Sequence, residues 1–191
     1  MFPIIGDPVI YVESPVRLTR TLAARGYDGV CVPMRVPEAA LDVVLAGLSA
    51  TSNVGGILIT MPHKFSVFSH CATRSERSDL LKVVSVMRRN DDGSWHGDVL
   101  DGLAFVKAQR ARGAEIEGRR ALLVGVGGAG SAIAMALLDA GVGELVIAGH
   151  GTTPFIGAAA RVGCSTATGA DMVDAVQDLM ADFLIGAPST P

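Results

Sequence analysis

Aromatic residues are scarce in this sequence (5%), cysteine and lysine scarcer still, and neither sign of charge predominates. The formal net charge is −3 with a pI near 5.8. With no basic surplus to neutralise a phosphate backbone, a nucleic-acid partner is not expected. Cys31, Cys71 and Cys164 stand far apart, odd in number and without a C-x-x-C, which argues against a disulfide framework and against a zinc knuckle. Met1-Phe2-Pro3 has no basic region of an export signal, so a cytoplasmic protein is expected. Internal repeats and low-complexity segments are absent too. What is abundant is apolar: 49% of 191 residues are hydrophobic and 18% charged, with a mean hydropathy of +0.41. That composition belongs to a packed chain of one generous domain or two small ones.

Residues 121–138 carry no charge over a length that could match a membrane span. Gly125, Gly127, Gly128 and Gly130 cluster inside it, where the pattern changes from a β-branched run to a helical one. The stretch therefore reads as strand, turn and helix, and no membrane partner is expected.

Apolar runs alternate with amphipathic segments throughout, the pattern of an α/β fold with largely parallel strands. Strands are expected at 3–6, 27–34 and 56–60, and helices at 14–25 and 37–47, with Ser14 as N-cap and Pro15 as first helical residue. A further helix after Pro62 would carry His63, Lys64, Phe65 and Phe68. Segments 81–89 and 93–97 flank Asn90-Asp91-Asp92-Gly93, a hairpin turn. A helix then runs to about Arg112, and 113–118 reads as a linker. Beyond it come strand 120–124, helix 129–140, strand 144–148, helices 154–162 and 171–180, and strand 182–185. The resulting division is 1–101 for a substrate-binding domain and 102–191 for a dinucleotide-binding one.

Gly125-Val126-Gly127-Gly128-Ala129-Gly130 matches G-x-G-x-x-G in the context that fingerprint requires, after a strand and opening a helix. Glycines let backbone N–H groups approach a pyrophosphate, and the helix N-terminus adds its dipole. After the second strand, Gly149-His150-Gly151-Thr152-Thr153 offers neither the acidic residue that suits NAD nor an arginine for the 2′-phosphate of NADP. His150 and Thr152 are the candidate phosphate contacts there. Lys64, after an apolar strand, suits proton transfer because a lysine pKa responds to burial. Asp101 opens a helix, and spacing alone favours an N-cap role for it. His70, His96 and the cysteines lack ligand spacing, so no metal is assigned; Trp95 reads as packing, and Arg88-Arg89 as a solvated strand end.

Four motifs in order, Gly6-Asp7-Pro8…Ser14-Pro15, Gly56-Ile57-Leu58-Ile59-Thr60-Met61-Pro62-His63-Lys64, Gly97-Asp98-Val99-Leu100-Asp101-Gly102 and Gly125 to Gly130, make the chain resemble the shikimate dehydrogenase family. The resemblance implies an open α/β substrate domain, a Rossmann domain and a cleft between them. It implies reversible NADP-linked reduction of 3-dehydroshikimate, a step of aromatic amino acid biosynthesis, by a monomer or homodimer, with NAD possible as cofactor. It makes Lys64 and Asp101 the catalytic pair, Ser14, Thr60 and Ser85 substrate contacts, and Gly125, Gly127, Gly128, Ala129 and Gly130 the cofactor loop.

The chain departs from the family pattern at Val12, where a serine is usual, at Leu58 and Val99, where asparagines are usual, at Leu100, usually threonine, and at the loop 149–151, usually Asn-Arg-Thr. A site short of hydrogen-bonding groups suits a related, less hydroxylated cyclic acid. The family's further strands and final helix, with its substrate-contacting glutamine, are expected to be absent, so the Rossmann half is expected to be truncated. A non-catalytic ligand-binding relative is the alternative, against which the pair Lys64 and Asp101 argues.

Overall fold

The structure, a computed structural model, describes residues 1–125, 127–148 and 169–186. They fall into two compact units, Met1–Val99 together with the chain from Gln177 on, and Leu100–Val176.

In the first unit, β1 (Phe2–Gly6), β2 (Cys31–Arg35), β3 (Gly56–Ile59), β4 (Thr73–Arg74), β5 (Val86–Arg89) and β6 (Trp95–Asp98) form one sheet in the order β2-β1-β3-β5-β6-β4. β1 pairs parallel with β2 and β3; β3 with β5 and β5 with β6 are antiparallel. β1 is buried at all five positions and β3 at all four, as expected of central strands covered on both faces. Ile5, Ile57, Ile59 and Met87 build one core with Leu41, Leu45 and Leu48 of α2 (Leu41–Ala50).

The helix α1 (Ser14–Ala24) has Glu13 at its N-cap, so Ser14 is the first helical residue and not the cap expected from the sequence. After Pro62 the chain makes turns and then a short 3₁₀ helix, Ser66–His70, in place of an α-helix. Segment 81–89 is not one strand either. A short helix α3 (Glu76–Leu81) is stopped by Lys82 at φ 56°, and β5 begins only at Val86. Ser75 caps α3, accepting from the amide of Ser78.

Arg89 also differs from the solvated reading. Its guanidinium donates to the carbonyls of Leu48, Ser49 and Thr51 at the C-terminal end of α2, and to those of Val54 and Gly93. It stacks 4.4 Å above Trp95, whose indole N–H donates to Ser49 Oγ. A cation placed on the last carbonyls of a helix satisfies acceptors that have no partner within the helix.

The largest difference is at the C-terminus. A single helix α6 (Gly169–Ile185) replaces the expected helix and strand, and from Gln177 it belongs to the first unit. Val176, Met180, Ala181 and Leu184 are its buried stripe. A Cβ on Gly56 would collide with Leu184 Cδ2 and lie 2.7 Å from the Met87 carbonyl, so this strand position takes glycine for close packing. Phe183 stacks on His96 with centroids 5.8 Å apart and lies under Arg88; Arg25 pairs with Asp178 and Asp182.

In the second unit β7 (Arg120–Val124) and β8 (Glu144–Ala148) pair in parallel, beside α4 (Asp101–Ala111) and α5 (Gly128–Asp139). Gly102 lets α4 and α5 cross closely, because a Cβ there would collide with the Ala132 carbonyl. The helix expected at 154–162 lies outside the described residues. Cys31 and Cys71 are buried free thiols whose pKa values burial raises to about 12 and about 11. Cys164 lies outside the described residues.

Candidate active site

The topology collects the candidate residues of the first unit at one edge of the sheet. β1, β2 and β3 run parallel, so the segments after them all leave from that edge: the chain to Ser14, Val36 and the Thr60–Lys64 turn. β5 runs opposite to β3 and β6 opposite to β5, so Ser85, just before β5, and Asp98, at the end of β6, reach the same edge. Backbone bonds join them in a row. The Ile59 amide donates to Ser85 O at 2.9 Å and the Ser85 amide to Asp98 O at 2.8 Å.

The turn carrying Lys64 is tied on every side. The Thr60 amide donates to Ile5 O, Asp7 N–H donates to Met61 O, the His63 amide donates to Thr60 O, and Lys64 O accepts from Val84 N–H. His63 is fully buried, with Nε2 2.7 Å from the Val36 carbonyl. Gly6 permits the close approach of Thr60, whose methyl a Cβ would meet. Thr60 and Lys64 are themselves half-buried, accessible from the edge, whereas Met61 and Phe65 are exposed.

Ser14 is half-buried, and its hydroxyl accepts from Gln177 Nε2 at 3.4 Å. The strand expected at 182–185 is instead the end of α6, the helix that carries Gln177, and Val176, Met180, Ala181 and Leu184 follow helical spacing. Ser85, in contrast, has no exposed surface, which removes it from the direct substrate contacts named from the sequence.

Asp98, also missed, is 4% exposed and holds a network. Its carboxylate accepts from Arg77 Nε at 2.8 Å, from the second guanidinium nitrogen of Arg77, from Ser75 Oγ and from the Val99 amide. Arg77 Nε also donates to the Val99 carbonyl at 3.1 Å. These bonds fix the chain immediately before α4.

In the second unit Asp101 is the first residue of α4, 6% exposed, with Leu100 at the N-cap. The glycine loop fits a pyrophosphate. Gly125 has φ +94°, which favours glycine, and a Cβ on Gly130 would strike the Gly125 carbonyl. A Cβ on Gly127 meets nothing within 4 Å, leaving the space that a phosphate needs, and the first amides of α5 lack acceptors within the helix. Gly128 and Ala129 lie in that first turn. His150 and Thr152 lie outside the described residues. Among the described residues no cluster of three His, Cys, Asp or Glu side chains could hold a metal, and no helix is long and apolar enough to cross a membrane.

Comparison with known proteins extends these observations. Residues 4–87 match the family model of the shikimate dehydrogenase substrate binding domain. The shikimate dehydrogenase (NADP(+)) of Stenotrophomonas maltophilia is 38% identical over 149 residues, covering 76% of this chain and 52% of that protein. That of Rubrobacter xylanophilus is 38% identical over 160 residues, covering 84% and 56%. The crystal structure of shikimate 5-dehydrogenase from Thermus thermophilus in complex with NADP(H) and shikimate superposes with a TM-score of 0.71 at 26% identity, over 87% of this chain and 62% of that one. The chain spans about half the length of the curated relatives it matches.

Proposed function

Because the chain belongs to the shikimate dehydrogenase family, we propose that it takes part in the NADP(H)-linked, reversible reduction of 3-dehydroshikimate or a related cyclic keto acid to its alcohol. The observation that carries this reading is the tightly bonded turn that presents Lys64 at the sheet edge together with Thr60, inside the segment matching the family's substrate domain.

Reduction adds a hydride to the carbonyl carbon and a proton to its oxygen. The ammonium of Lys64 donates a hydrogen bond to that oxygen, stabilises the developing alkoxide and delivers the proton; in oxidation the free amine takes it back. Asp101 is the proposed second member of the catalytic pair. Ser14, with Gln177 behind it, and Thr60 hold the polar groups of the acid, while Ser85 supports the edge from within. NADP(H), when bound, supplies or accepts the hydride. Gly125 and Gly130 shape the loop that would hold its pyrophosphate, with Gly127, Gly128 and Ala129 facing it; His150 and Thr152 are the proposed contacts further along. NAD is the second candidate.

Leu58 and Val99 are buried and apolar at positions where the resemblance implies asparagines, which supports a less hydroxylated substrate than shikimate. The test is absorbance at 340 nm on purified protein, offering shikimate and quinate separately with NADP⁺ and with NAD⁺. Turnover that is lost in Lys64→Ala supports the reading, whereas absence of both turnover and cofactor binding overturns it.

A further inference from the structure

His63 is fully buried, yet the core has little use for it as a histidine. Its Nε2 lies 2.7 Å from the Val36 carbonyl and Nδ1, equally buried, has no hydrogen-bond partner. A carbonyl can only accept, so Nε2 must carry the proton, and Nδ1 is then a lone pair enclosed without a donor. An apolar ring of similar volume would lose one hydrogen bond and also remove one unsatisfied acceptor, and these two changes oppose each other in stability. Stability alone therefore does not call for histidine at this position.

What the imidazole supplies is a fixed register. Val36 follows β2, and its own amide donates to Gly6 O at the end of β1. His63 thus ties the turn after β3 to the end of β2 and, through Val36, to the end of β1, one residue before Lys64. The backbone bond from His63 N–H to Thr60 O closes the turn upon itself, and Val67 N–H donates to His63 O on its far side. The bond to Val36 is made by a side chain within the turn, directly beside the residue assigned to proton transfer.

We propose that His63, in its Nε2–H tautomer, is a positioning residue that sets the height of Lys64 above the sheet edge by its bond to the Val36 carbonyl. The inference rests on the reading of Lys64 as proton donor and acceptor. A shift of about 1 Å in a catalytic group is enough to cost on the order of a hundredfold in rate.

Two readouts that do not depend on turnover test it. In the ¹⁵N-histidine-labelled full chain, long-range ¹⁵N–¹H correlation spectra report the tautomer of each imidazole. An Nδ1–H or doubly protonated His63 at neutral pH overturns the proposal. The chain has only three lysines, so after ¹³C-dimethylation the Lys64 signal is assigned by its loss in Lys64→Arg, and its titration is followed in His63→Gln and His63→Phe. Glutamine retains a donor for the Val36 carbonyl and is expected to keep the wild-type titration. Phenylalanine is expected to keep the melting temperature within a few degrees while moving the proton-dissociation constant of Lys64 roughly threefold or more. In the 340 nm assay His63→Phe should lower kcat about tenfold or more with cofactor KM unchanged, and His63→Gln should restore most of it.

A folded His63→Phe protein with the wild-type Lys64 titration and kcat overturns the proposal, as does equal loss in both variants. If wild-type protein neither turns over substrate nor binds cofactor, the dehydrogenase reading fails, and the tautomer and the Lys64 titration still decide the positioning role.

Discussion

The side-chain amide of Gln177 donates to the hydroxyl of Ser14 at 3.4 Å, joining two residues that lie 163 positions apart. Gln177→Ala should raise KM for the cyclic acid about tenfold, the effect of about 1–3 kcal/mol for a lost polar contact, with kcat changed much less. Unchanged KM would separate α6 from substrate binding.

Lys64→Ala should lower kcat by about 10²–10⁴, the usual contribution of a positioned proton donor, without weakening the cofactor. Asp101→Asn should act in the same direction, because the second member of the proposed pair is gone. Binding titrations followed by nicotinamide fluorescence, beside steady-state kinetics, check both.

The glycine loop allows folding and binding to be separated. Gly127→Ala adds a methyl that meets no protein atom within 4 Å at an ordinary φ of −69°, so the melting temperature should hold while dinucleotide affinity falls. Gly130→Ala drives its methyl into the Gly125 carbonyl and should lower both. Calorimetry with and without NADP⁺ distinguishes the two variants.

Arg89→Met should cost about 2–4 kcal/mol, since several charge-assisted bonds to carbonyls are lost together. At roughly 2–4 °C per kcal/mol for a chain of this size, the melting temperature should fall by about 4–16 °C. Arg89→Lys should rescue little, because a point charge cannot reach carbonyls spread around a planar fork. Kinetic constants measured well below the melting range should stay near wild type.

His96, stacked on Phe183, is held below its ordinary value of 6.5 by burial first and the Arg88 guanidinium second, with Asp98 pulling the other way and Arg77 adding to the depression. The unfolded chain therefore binds the proton more readily than the folded one, and the stability carried by neutral His96 is present above pH 6.5 and lost as pH falls below it. Denaturant unfolding between pH 7.5 and 5 should show this slope, and His96→Phe should flatten it.

The sequence made the central strands, the hairpin, the glycine loop and the two ends of the proposed proton-transfer pair legible, because each rests on local signals: apolar runs, turn residues, a fingerprint. Arg89 was read as solvated because its acceptors are backbone carbonyls 35 to 41 residues away, along with Gly93, and no side-chain pattern marks a carbonyl. Asp98 was overlooked for a related reason, since Arg77 reaches it from a helix too short to announce itself. The helical character of α6 is legible in its spacing. Phe183-Leu184-Ile185 resembles a strand when read alone, but Val176, Met180 and Leu184 continue a four-residue spacing through it.

Residues 2–98 supply every strand of the first unit's sheet, yet the side chain that fills the space above Gly56 is Leu184, and Phe183 covers His96. During synthesis, which adds about 5–20 residues per second, that sheet waits for seconds with one patch uncovered while the second unit is made. The N-terminal half of the chain is thus a nearly finished body whose closing piece is translated only after the second unit. A ribosome stalled before Gln177 would hold a sheet with that apolar patch open, a natural ligand for a chaperone.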